Sequence, residues 1–91
     1  MMHFIHTNYG YCYYELDKPI SEGGTYLVYS LYVHKEHRRK GCAKRMLRHV
    51  IDEIRDTGYS GVIYIKAEPQ EASIEIEHLR EFYKSMGLTV T

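Results

Sequence analysis

The sequence predicts an α+β domain: one mixed antiparallel and parallel sheet of about five strands with two main helices, in the order β-β-β-α-β-α-β. Three observations carry this. The first third of the chain alternates aromatic or aliphatic residues with small or polar ones. From Cys42 the apolar period lengthens to threes and fours. A strand, a helix and a strand then follow in order, which implies a right-handed parallel crossover. With 91 residues there is material for one modest core, so residues 1–91 are read as a single domain.

Turn compositions at Asn8-Tyr9-Gly10, Lys18-Pro19 and Glu22-Gly23-Gly24 divide the first third into strands near 3–8, 10–17 and 25–34. The third of these, from Thr25 to Val33, is apolar on both faces, the pattern of a central strand covered on two sides. In the next segment Ala43, Met46, Leu47, Val50, Ile51 and Ile54 form one stripe opposite Lys, Arg, Asp and Glu. That helix ends near Thr57-Gly58. Val62 to Ala67 reads as a strand stopped by Pro69. A second helix follows Ser73 as N-cap, with Glu75 and Glu77 in its first turn, Ile76, Leu79, Phe82, Tyr83 and Met86 facing inward, and Gly87 as C-cap. Leu88 to Thr91 suffice for one short edge strand, which a second copy could cover.

Formal charge sums to zero, but its distribution is uneven. Seven of the twelve Lys and Arg lie between Lys35 and Arg48, opposed only by Glu36, while five acids lie between Glu68 and Glu81. The two cysteines, Cys12 and Cys42, have no metal-ligand or redox-motif spacing, and no segment resembles a secretory leader or a membrane span. Free thiols, a soluble chain and a cytoplasmic location are expected. His34 and His37 flank Glu36, but histidines three apart without a second pair do not make a zinc site, and no metal is expected.

The two helices treat the helix dipole oppositely. The second opens on acids, as the positive N-terminal end favours, whereas the first opens on Arg38, Arg39, Lys40, Lys44 and Arg45. A bound polyanion resolves the conflict, because free N–H groups ringed by cations at a helix N-terminus form a phosphate cradle. Gly41 lets the backbone approach such a ligand and small Ala43 leaves it room. A Walker-type loop is excluded, since its glycine-lysine pattern occurs nowhere. A solvated basic helix start is the structural alternative.

Here the chain resembles the GCN5-related N-acetyltransferase family, whose acetyl-CoA motif R/Q-x-x-G-x-G/A follows a central strand. Arg38-x-x-Gly41-x-Ala43 matches it. The resemblance implies that main-chain groups of Leu31, Tyr32 and Val33 pair with the pantetheine arm, and that Arg38, Arg39, Lys40, Gly41, Cys42, Ala43 and Lys44 hold the pyrophosphate. A second match lies downstream, where Phe82-Tyr83-Lys84-Ser85-Met86-Gly87-Leu88 looks like the family's F/L-Y-x-x-x-G-F/L signature on the last helix. Together the two cover roughly residues 25 to 90.

The same resemblance implies direct acetyl transfer from acetyl-CoA to a primary amine, with Tyr83 protonating the departing thiolate. The family's carboxylate base beside the central strand has no counterpart between Thr25 and Val33, and Glu68 is the substitute. A core tyrosine and a solvated rim glutamate are the structural alternatives for these two. The family's first strand and two helices, which wall the acceptor site, are missing. The chain therefore reads as a truncated member with an open acceptor site, suited to a protein lysine or N-terminus, and loosely similar to short virus-encoded acetyltransferases. Ile76 stands near the place of the family's helix-start Asn, a departure that puts one pantetheine contact implied by the resemblance in question. Two other readings stand beside this one: an acyl-CoA-binding module without catalysis, and a nucleic-acid patch over Lys35 to Arg48, which zero net charge disfavours.

Overall fold

The computed structural model describes residues 2–38, 40–67 and 76–91. Five strands and two helices follow in the order the sequence predicts: β1 (Met2–Thr7), β2 (Gly10–Leu16), β3 (Tyr26–Val33), α1 (Cys42–Asp56), β4 (Ile63–Ile65), α2 (Ile76–Ser85) and β5 (Thr89–Val90). Single 3-10 turns at Ile20–Glu22 and Lys35–His37 lead into β3 and out of it. The strands form one sheet in chain order. β1, β2 and β3 are antiparallel, and β4 and β5 add in parallel, as strand-helix-strand crossovers require.

The tight β1–β2 turn is organised by Thr7, whose Oγ1 accepts the main-chain N–H of Tyr9 and of Gly10 and donates to the Gly10 carbonyl. Gly10 is obligatory for a steric reason: a Cβ there would lie 2.1 Å from the Tyr32 carbonyl oxygen on β3. The α1–β4 connection is held by Arg55, which donates to the carbonyls of Tyr59 and Gly61, and by the Tyr59 hydroxyl donating to Val62 O at 2.6 Å.

β2 and β3 pair in two registers. Tyr13 lies opposite Ser30 but Tyr14 opposite Val28, so Tyr29 is one extra residue in β3. This β-bulge resets the alternation. Tyr26 and Val28 face the core before it and Val33 after it, with Leu31 packed against the core, while Tyr32 turns to the opposite face.

One core lies on one side of the sheet. Cys12 and Tyr14 of β2, Tyr26 and Val28 of β3, and Ile63 and Ile65 of β4 meet Met46, Leu47, Val50 and Ile54 of α1, with Tyr83 of α2 and Leu88 closing the far end. The predicted α1 stripe is thus largely the buried face, with Ala43 and Ile51 half-buried at its margins. Ile76 corrects the reading of α2: it is 46% exposed, because it opens the helix before the stripe of Leu79, Phe82, Tyr83 and Met86 reaches the core. The N-cap expected at Ser73, Glu75 beside it and the strand stop at Pro69 lie outside the described residues. The other correction concerns β3, whose second face is not covered by either helix. Half-buried tyrosines occupy it, since a ring can pack on its neighbours and still present its hydroxyl to water.

Tyr14 carries a long-range polar tie between sheet and helix. Its hydroxyl donates to Glu53 Oε2 at 2.6 Å, and Glu53 Oε1 lies 3.7 Å from His49 Nε2 one turn earlier on α1. Tyr14→Phe removes that charge-assisted bond, and a loss of about 1.5 kcal/mol in unfolding free energy is expected by urea titration at neutral pH.

Burial also sets an alkaline limit on the fold. It pushes the Cys12 thiol from 9.0 up to about 12, and burial followed by the Glu53 contact holds the Tyr14 phenol above its ordinary value. A raised acid pKa means that the folded chain keeps a proton the unfolded chain releases. The stability is fully present below pH 9 and is lost as pH rises toward 12, at up to about 1.4 kcal/mol per pH unit for Cys12 alone. Denaturation series between pH 8 and 11 should show this slope, and Cys12→Ala should flatten it; an unchanged slope in the variant would assign it elsewhere.

Candidate active site

The site forms where β3 ends and α1 begins. β4 pairs with Tyr26, Leu27 and Val28, and past the bulge β3 runs on beyond β4 through Leu31, Tyr32 and Val33, still paired with β2 on its other edge. The chain makes a 3-10 turn over Lys35–His37 and enters α1 through Gly41. Gly41 is the N-cap and has φ +76, the left-handed region that costs a side-chain-bearing residue about 1–2 kcal/mol. No side chain caps the helix, and no acid occupies its first turn. The first intrahelical bond runs from Arg45 N to Gly41 O, so the amides of Cys42, Ala43 and Lys44 precede it. A Cβ built on Gly41 would meet nothing within 4 Å. The helix therefore presents its positive end to open space, with Lys40 and Lys44 exposed beside it.

The cations divide by role. Arg38 folds back on the strand: its Nε donates to Val33 O at 2.9 Å and its guanidinium lies 5.5 Å from the Tyr32 ring centroid. It fixes the loop against the end of β3 while keeping its charge there. Cys42 is buried at the base of α1, and Arg45 Nη2 reaches its sulfur at 3.4 Å. Arg39 and Glu68 lie outside the described residues.

Sequence reasoning missed Tyr9 as part of this region, and read Arg45 only as one of the cations at the helix start. The β1–β2 turn reaches the loop, where the Tyr9 carbonyl accepts the His34 N–H at 2.8 Å and the Arg45 guanidinium lies 5.8 Å from the Tyr9 ring centroid. The signal was the Asn8-Tyr9-Gly10 turn, but nothing local tells which distant backbone a turn will touch.

Tyr83 is 4% exposed and shares the core cluster with Val28, Met46 and Ile65. Its main-chain carbonyl accepts the N–H of Met86 and of Leu88, which seals the end of α2 before Gly87, at φ +86, turns the chain into β5. The structure thus joins Leu31, Tyr32, Val33, Arg38, Gly41, Cys42, Ala43 and Lys44 into one continuous strand-loop-helix unit. Tyr83 belongs to the core behind that unit. Among the described residues no three His, Cys, Asp or Glu side chains gather as metal ligands, and no helix is long and apolar enough to cross a membrane.

This arrangement has counterparts. The profile of the acetyltransferase (GNAT) family matches residues 7–88, which takes in every strand and helix but the first and the last. The chain belongs to the GNAT acetyltransferase family. Over 76 residues it is 34% identical to human N-acetyltransferase 8, an alignment covering 84% of this chain and 31% of the relative. It is 35% identical over 71 residues to the L-methionine sulfoximine/L-methionine sulfone acetyltransferase of Salmonella typhimurium, covering 77% and 38%. It thus spans about a third of the length of these GNAT relatives. Among solved structures, the ribosomal-protein-alanine N-acetyltransferase of Brucella melitensis superposes with a TM-score of 0.61 at 20% identity, over 92% of this chain and 60% of that one. An integron cassette protein from Vibrio cholerae gives 0.64 at 19%, over 91% and 48%. Both share the fold.

Proposed function

We propose that this GNAT chain moves an acetyl group from acetyl-CoA directly to a primary amine, with a protein lysine or N-terminus as the acceptor. The observation that carries the reading is the N-terminus of α1: a left-handed Gly41, no side-chain cap, no acid in the first turn, and cations around it. Such an end fits a pyrophosphate.

In this reading the amides from Arg39 to Lys44 hold the pyrophosphate, with Lys40 and Lys44 adding charge and Arg38 holding the loop in place. The main chain of Leu31, Tyr32 and Val33 aligns the pantetheine arm, and an N–H there polarises the thioester oxygen. The thioester supplies the chemistry: the amine nitrogen bonds to the acyl carbon as the carbon–sulfur bond breaks. Tyr83 holds a proton on its hydroxyl for the departing thiolate, and Glu68 or water takes the proton that the amine must lose. A protein acceptor is favoured by the sheet, one face of which neither helix covers among the described residues, and by Glu77 and Glu81 exposed on α2. A cytoplasmic location goes with that substrate pair, and both cysteines are free thiols.

The test is intact mass after incubation with acetyl-CoA, read on a lysine-rich peptide, on free lysine and on the protein itself, with released thiol measured in parallel. Free amino acids belong in the panel because one relative is an L-amino acid N-acyltransferase of Escherichia coli, 32% identical over 63 residues. One acetyl per released thiol on the peptide is expected. Acetyl-CoA binding without acetyl gain or thiol release would reduce the chain to an acyl-CoA-binding module.

A further inference from the structure

The sheet has a second face that neither helix covers, and its make-up is unusual. β1, β2 and β3 contain no Lys or Arg and only one acid, Glu15. At the centre of the face Phe4 is 51% exposed, its ring 4.7 Å from Tyr13, which in turn stacks on Tyr29 at 6.2 Å. These rings touch one another rather than standing singly, and contiguous apolar patches mark contact surfaces.

The two ends of the face differ in charge. At one end Tyr11 stacks on Tyr32 at 5.2 Å, and Arg38 lies over Tyr32 from the loop side. At the other end Glu15 sits opposite Met2 on β1 and Leu27 on β3, with Met2 57% exposed. Tyr11 and Glu15 are four residues apart on one strand, about 13 Å at the usual strand rise.

We propose that this face is closed by the same face of a second copy, related by a two-fold axis that lies between the two sheets and runs across their strands. That axis reverses strand direction, so Glu15 of each chain meets the Tyr32 end where the partner subunit's Arg38 lies, and Phe4 and Tyr13 pack near the axis. The charge pattern is self-complementary, which is what an isologous interface needs. Two twisted sheets stacked this way form an aligned sandwich, a standard packing of half-apolar sheets. A nucleic acid would require cations that these strands lack, and a basic peptide would find a single carboxylate.

Sedimentation equilibrium of the full chain at micromolar concentration tests the pairing. The dimer is expected, with Phe4→Ser combined with Tyr13→Ser giving a monomer of unchanged circular dichroism and unchanged acetyl-CoA affinity. Glu15→Arg alone should raise the dimer dissociation constant at least about tenfold, the effect of turning the two symmetry-related charge pairs repulsive, and it decides the matter if the double variant does not fold. A monomeric native chain overturns the proposal, whether or not a lysine-rich peptide binds the face. So does a dimer that Glu15→Arg leaves undisturbed.

Discussion

Gly41→Val raises the dissociation constant for acetyl-CoA by at least about a hundredfold while leaving a folded protein. Two effects combine. Gly41 sits at φ +76, where a β-branched residue is strained by about 2 kcal/mol or more, so the turn that aims the first amides of α1 shifts toward an ordinary φ. The valine side chain also adds bulk at the helix start, where a Cβ would meet nothing beyond its chain neighbours within 4 Å. Because nothing crowds that position in the free chain, the fold bears only the backbone strain. Gly58→Val is the matched control: it has φ +94, is equally uncrowded, and lies at the other end of α1. Calorimetric titration with acetyl-CoA should find the control close to native affinity and Gly41→Val without measurable binding. Equal affinities in the two variants would mean that the cofactor binds elsewhere.

Tyr83→Phe lowers kcat by about a hundredfold or more, the usual worth of a positioned proton donor, with acetyl-CoA affinity unchanged. The substitution keeps the ring that fills the core between α2 and the sheet, so Tm should move little. Full turnover by Tyr83→Phe at every pH would leave Tyr83 a core residue and nothing more.

The sequence was most legible where one physical demand dominates a segment. In α1, apolar residues at threes and fours gave the helix, which runs Cys42–Asp56 as read, while cations crowded at the wrong end of the dipole pointed to the ligand proposed above. The order of strands and helices was equally plain. β3 was misread as covered on two sides for two reasons. Tyrosine counts as apolar in a pattern but is content half in water, and the bulge at Tyr29 shifts the phase, so Leu31 and Val33 face the core after Tyr26 and Val28 have done so. A one-residue phase shift imitates an apolar strand on both faces. The packing of the β1–β2 turn on the loop was not legible. It depends on Gly10 passing the Tyr32 carbonyl and on Tyr9 reaching His34, contacts between segments more than twenty residues apart. Arg38 was read as a phosphate ligand from its charge. Its bond to Val33 O shows that charge and position can serve the loop itself.

The central claim is that the N-terminus of α1 receives the pyrophosphate, and amide chemical shifts test it most directly. In a two-dimensional 15N–1H titration with CoA, the amides of Gly41, Cys42, Ala43 and Lys44 should show the largest changes, moving downfield as they donate to phosphate oxygens. The amides of Tyr11 and Tyr13 on the sheet should stay in place. Saturable CoA binding that leaves the four loop amides unmoved would contradict the account.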